Sequence, residues 1–307
     1  MAALLDTSAR GVFAITVTPF KEDGALDLDS TDKMVDFYLS HGVDGLTILG
    51  IMGEAPKLTA GESVTFTRQV LARTAGRVPV VVGVSSPGFA AMRELTEQVM
   101  DAGCAGVMVA PPSSTKTDGA ILQYYAQVAE QLKGVPFVLQ DYPQSNGVQI
   151  PPSIIRRIAE TIPTCVMLKA EDWPGLGKIT AVRDPAPARR LSILVGNNAL
   201  FLPEELRRGA DGAMTGFAFP EMMVNVVAAH VVGDTLRAAE LHDAYLPLSR
   251  YEQQPNVGLA VRKYVLAKRG AIAHATQRAP RSGLTKLDIA DIELLLQRQE
   301  RRLAALG

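Results

Sequence analysis

Cysteine, tryptophan and surplus charge are all scarce in this chain of 307 residues, which has two cysteines, one tryptophan, and 31 Lys+Arg against 32 Asp+Glu. A net charge of −1 gives no electrostatic footprint for nucleic acid, and no basic run carries the interleaved aromatics of a phosphate-tracking groove. Cys104 and Cys165 lie inside apolar runs and read as buried free thiols in a reducing compartment, not as a disulfide framework. No stretch approaches the roughly 18 uninterrupted apolar residues of a membrane span. The N-terminal MAALLDTSARGVF also lacks the charged head and apolar run of a secretory signal. The expectation is a cytoplasmic protein with neither a nucleic-acid nor a membrane partner.

Several reaction motifs are missing as well. Neither GxGxxG nor GxxxxGK[ST] occurs, and there is no GxSxG elbow. His41, His230, His242 and His274 form no HxxxH pair and no acid-flanked cluster, so no metal site is expected.

What is present is 47% apolar residues against 21% charged, the profile of a globular chain with a core large enough to need no covalent staple. Apolar runs of strand length alternate with segments of helical period. The runs lie at 12–18, 45–50, 78–84, 106–111, 136–142, 165–171, 192–196 and 212–216. They lack alternating polar positions, as suits parallel strands covered on both faces. Eight such units predict an α/β fold, a (β/α)8 TIM barrel over residues 1–232, followed by a C-terminal helical region over 233–307. A doubly wound sheet would have fewer strands and a Gly-rich phosphate turn. The late basic run from Arg262-Lys263 to Lys268-Arg269 reads as a solvated helix face.

In such a barrel the reactive groups sit where strands end. The second run ends in Gly50-Ile51-Met52-Gly53-Glu54, a turn whose glycines let backbone amides approach a ligand carboxylate. The fifth ends in Gln140-Asp141-Tyr142-Pro143, which reads either as a proton relay or as a strand-end turn. The sixth delivers Lys169 after four apolar residues, with Glu171 and Asp172 close behind. A lysine in that position is costly unless it has work or a partner. It is either a desolvated amine that attacks a carbonyl to form a Schiff base, or half of a structural ion pair with Glu171 or Asp172.

These residues resemble the dihydrodipicolinate synthase/N-acetylneuraminate lyase superfamily of class I, Schiff-base aldolases, from Gly11 to the C-terminus. Ala14 to Phe20 is similar to the family's first strand ending in Thr-Pro-Phe, and Gly50 to Glu54 to its Gly-Thr-Thr-Gly-Glu turn. Lys169 falls at the Schiff-base lysine, Gly196-Asn197-Asn198 at a Gly-Asp-Asp, and Pro255-Asn256 at a Pro-Asn of the C-terminal helices. The resemblance implies a lyase acting on pyruvate or another 2-oxo acid through Lys169, with no metal or organic cofactor, in a homo-oligomer (tetramer or dimer).

The departures are equally specific. The family's relay phenol, registered on Pro143, falls on Gln140, with Tyr142 two residues late; Ile51 and Met52 replace hydroxyl residues; and the synthases' arginine falls on Ser145. Authentic dihydrodipicolinate synthesis is therefore not expected. The candidate catalytic residues are Lys169, Tyr142 and Glu171, with Asp141 or a water held by Gln140 as other relays. Substrate contacts are expected from Gly50, Ile51, Met52, Gly53, Glu54, Gln140 and Met214, with backbone donors at Met52 and Gly53 holding the carboxylate. The alternative is a catalytically degenerate barrel that binds a small carboxylate as a sensor or structural subunit.

Overall fold

The computed structural model describes residues 3–307. Each of the eight apolar runs forms a parallel strand: β1 Gly11–Ile15, β2 Gly45–Ile48, β3 Val80–Gly83, β4 Gly106–Val109, β5 Phe137–Asp141, β6 Cys165–Ala170, β7 Ser192–Val195 and β8 Gly212–Ala213. They pair in sequence order, and β8 closes on β1, giving the predicted TIM barrel. The helices are α1 Leu28–Ser40, α2 Ala60–Thr74, α3 Phe89–Asp101, α4 Asp118–Leu132, α5 Pro143–Asn146, α6 Pro152–Thr161, α7 Gly175–Arg183, α8 Leu202–Arg207, α9 Pro220–Val231, α10 Thr235–Glu252, α11 Gly258–Lys268 and α12 Lys286–Leu306.

Period-two alternation divides each strand between two layers. Ile15, Val81, Met108, Val138, Met167, Leu194 and Met214 fill the barrel interior. Their neighbours Ala14, Val82, Val107, Leu139, Leu168 and Val195 join the larger core. Both layers are closed to solvent, which explains why the strand sequences read as unbroken apolar runs. Polar side chains start the helices where the sequence supplies them. Thr59 and Glu62 form a reciprocal capping box on α2, Thr285 and Asp288 form another on α12, and Thr117 caps α4.

The eighth strand is much shorter than the run 212–216. Thr215 O still accepts from Ile15 N of β1 at 3.0 Å, but its Oγ1 accepts from Asn198 N at 2.9 Å, and Gly216 O accepts from Arg262 Nη2 at 2.6 Å. Cys104 and Cys165 are buried free thiols as expected, and burial pushes both up to about 12.

One expectation fails in α11. Arg262 and Lys263 do not belong to a solvated face; both are fully buried. Gly258, Arg262 and Leu266 make one buried i, i+4 row. Only Lys268, farther along, lies substantially in solvent, paired with Glu293.

Candidate active site

Strand pleating brings the predicted residues together. Gln140 on β5 and Lys169 on β6 are register partners, so the inward rows Val138–Gln140–Tyr142 and Met167–Lys169–Glu171 lie side by side. Lys169 and Glu171 are both about 5% exposed, and Lys169 Nζ lies 2.9 Å from Glu171 Oε2. Gln140 Nε2 donates to the same oxygen at 2.8 Å. A buried amine, a carboxylate and an amide thus converge at one point, where an unpaired charge would be costly.

The Glu171 seat depends on Gly196, just after β7. A Cβ there would stand 2.1 Å from Glu171 Cγ. The next residues, Asn197, Asn198 and Ala199, all have φ between 52° and 56°, the left-handed region. Hydrogen bonds hold this unfavourable backbone in place. Asn197 Nδ2 donates to Glu171 O at 3.0 Å, Ser249 Oγ donates to Asn198 O at 2.8 Å, and His242 Nε2 meets Ala199 O at 2.8 Å.

These groups open into a small pocket of about 60 Å³. Of the predicted residues, Gly50, Ile51, Met52, Gln140, Tyr142, Lys169 and Glu171 line it. Tyr142 and Gln140 share the inner side of β5 and its exit, and Asp141 points away to pair with Lys178 at 2.6 Å. Burial lifts Asp141 to about 6 against the pull of Lys178, but its place outside the pocket removes it as a relay. Burial also raises the Tyr142 phenol; Glu171 adds to that shift and Arg262 opposes it.

Three expected contacts are absent from the wall. Gly53 spends its amide on Gly50 O at 3.0 Å within a short 3-10 turn, so it offers no free donor. Glu54 is turned into the protein, where Oε1 accepts from Lys263 Nζ at 2.6 Å. Met214 lies in the barrel interior, packed in the same cluster as Ile15, and does not reach the lining.

The sequence reading missed Ile15, Asn197, Asn198, Thr215, Gly216, Gln253 and Arg262, which complete the lining. An available signal was Arg262 standing in the apolar row of α11. A second cavity shares Asn197 with the pocket and is walled by Trp173, Leu176, Phe201 and Glu205 among others.

The model of the dihydrodipicolinate synthetase family matches residues 8–299. The chain belongs to that family. It is 32% identical over 289 residues to the L-2-keto-3-deoxyarabonate dehydratase of Azospirillum brasilense, covering 88% of each protein. It is 31% identical over 244 residues to a 4-hydroxy-tetrahydrodipicolinate synthase of Maridesulfovibrio salexigens, covering 78% of this chain and 82% of the other. Among solved structures, a dihydrodipicolinate synthase from Rhodopseudomonas palustris superposes with a TM-score of 0.94 at 50% identity, over 97% of this chain and all of the other. A family member from an Escherichia coli K12 prophage, solved with pyruvate, gives 0.85 at 25% identity over 95% of this chain and 98% of that one. This dihydrodipicolinate synthetase family member is an enzyme, a lyase. No helix among the described residues is long and apolar enough to cross a membrane.

Proposed function

We propose that this family member forms a Schiff base between Lys169 and a 2-oxo acid and uses it for aldol cleavage or dehydration. The observation that carries the reading is Lys169 Nζ in the pocket wall, 2.9 Å from the Glu171 carboxylate. The dehydratase and synthase names among the relatives, and a relative solved with pyruvate, point the same way.

The chemistry follows from the groups present. Lys169 needs a free electron pair to attack C2, and Glu171 is placed to take the proton. Glu171 returns that proton to the carbinolamine hydroxyl, which leaves as water and gives the iminium. The iminium then accepts the electrons released at C3. In dehydration, Glu171, a carboxylate again once the iminium has formed, takes a proton from C3, and the C4 hydroxyl departs as water. In aldol cleavage, the C4 hydroxyl loses its proton and the C3–C4 bond breaks. Tyr142, whose phenol burial keeps protonated, gives its proton to the departing C4 hydroxyl in dehydration, and in aldol cleavage passes its proton to the Glu171 carboxylate as it takes that of the C4 hydroxyl. The amides of Ile51 and Met52, at the open start of their turn, receive the substrate carboxylate. Gln140 fixes Glu171 and does not itself exchange protons.

Authentic dihydrodipicolinate synthesis is not part of the proposal, because Ser145, the position expected for the synthases' arginine, is exposed and lies outside the pocket lining.

The test is borohydride reduction during incubation with pyruvate, followed by peptide mass spectrometry. An irreversible adduct on the peptide carrying Lys169, absent in Lys169→Ala, is expected. Folded protein that takes up no pyruvate and no larger 2-oxo acid would sink the covalent mechanism.

A further inference from the structure

Arg262 is among the largest fully buried side chains and is also part of the pocket wall. Its guanidinium is tied down on two nitrogens. Nε donates to Glu252 Oε1 at 2.5 Å, and Nη2 donates to Asn198 Oδ1 and Gly216 O, each at 2.6 Å. The third nitrogen, Nη1, is buried and has no hydrogen-bond partner. A buried guanidinium N–H left unmatched is expensive, and native proteins rarely tolerate it without a use.

Nη1 is closed to solvent in this structure, just behind a pocket wall to which its own residue contributes. It lies against Gly216, also a lining residue, where a Cβ would sit only 2.1 Å from it. Its charge is felt by the Tyr142 phenol in the same pocket. The three acceptors on Nε and Nη2 prevent the group from turning away, so binding a ligand there costs little ordering.

We propose that Arg262 anchors a second anionic group, and that the substrate is a 2-oxo acid with a distal carboxylate. This rests on the Schiff-base reading, in which the carboxylate next to the carbonyl is held by the Ile51–Met52 turn and the reacting carbon by Lys169. A single free nitrogen suits one carboxylate oxygen better than the several oxygens of a phosphate. A distal carboxylate gives Nη1 the acceptor it lacks only when a diacid is bound, so a monoacid of equal length leaves it unpaired.

The experiment compares initial rates of borohydride-trapped adduct for 2-oxoglutarate against 2-oxopentanoate, and for 2-oxoadipate against 2-oxohexanoate. Each rate is taken relative to pyruvate in the same protein. Wild type is expected to favour the diacid in at least one pair by about tenfold or more. Arg262→Met should bring that ratio to about twofold or less. Gly216→Ala, which displaces Nη1 without removing its charge, should also lower it and serves if Arg262→Met does not fold. Wild-type ratios within about twofold of unity, or a preference that survives both substitutions, would reduce Arg262 to a clamp between α11 and the barrel. Calorimetric titration with glutarate, which has no ketone, reads the anchor without any adduct. Glutarate binding weakened by Arg262→Met supports the anchor even if no adduct forms with any acid, an outcome that would remove the Schiff-base reading alone. Glutarate binding equal in wild type and Arg262→Met overturns the anchor.

Discussion

Glu54, in the turn after β2, and Lys263, on α11, are 209 residues apart in sequence and meet at 2.6 Å with both side chains buried. Lys263 Nζ also donates to Thr18 O at 2.8 Å and Thr276 O at 2.7 Å, so all three ammonium hydrogens are used. Burial draws Lys263 down to about 8 despite the neighbouring carboxylate. Glu54→Gln leaves a buried ammonium without its counter-charge and should cost about 3–5 kcal/mol in chemical denaturation. Adding Lys263→Met should restore part of the loss. A single substitution costing less than about 1 kcal/mol would show that the pair is well solvated.

Glu171 and Gly196 form the second test. Glu171→Gln keeps the hydrogen-bonding shape but removes the base, and should slow adduct formation by about 10²–10⁴-fold. Gly196→Ala should act in the same direction by pushing Glu171 off Lys169, since its Cβ overlaps Glu171 Cγ. Near-wild-type rates in both variants would assign proton transfer to another group.

Tyr142→Phe separates Schiff-base formation from later steps. If Tyr142 serves the C4 hydroxyl, turnover of a 4-hydroxy substrate falls about tenfold or more while pyruvate trapping changes far less. Equal loss in both assays would place the phenol in adduct formation instead.

Glu205 gives a pH signature in stability. Burial, reinforced by Glu204, lifts it from 4.5 to about 8. Between those values the folded chain keeps a proton that the unfolded chain has released, so stability falls as pH rises through the window. Glu205→Gln should therefore raise the melting temperature relative to wild type at pH 8 and give no such gain at pH 4. Taking the difference between the two proteins cancels Asp141, which acts with the same sign up to about 6. An equal gain at both pH values would mean that the carboxyl does not titrate as described.

The barrel was legible because its signal is local. Each strand must be apolar on both faces, and the runs around Val81, Val107 and Leu168 show that without any knowledge of their partners. Lys169 was legible for the same reason, as a charge in a run that tolerates none. Pleating alone set Gln140 and Tyr142 on one side and Asp141 on the other. Glu54, Arg262 and Lys263 were misjudged because their environment is made by segments more than 200 residues apart or by a helix laid across the barrel mouth. A charged dipeptide on a helix looks the same in sequence whether it faces water or a buried acid. The free backbone donors were also hidden, since whether Gly53 spends its amide inside the turn depends on the turn's hand and pitch.

The consecutive placement of Arg262 and Lys263 makes α11 a key cut for two locks, one at Glu252 and Asn198, the other at Glu54 and Thr18. One residue inserted or deleted between Pro255 and Arg262 turns the helix by roughly 100° and withdraws both side chains together. The length of that connection is therefore as constrained as the identity of the side chains, and the segment tolerates exchange between relatives only as a whole, in phase with the turn after β2.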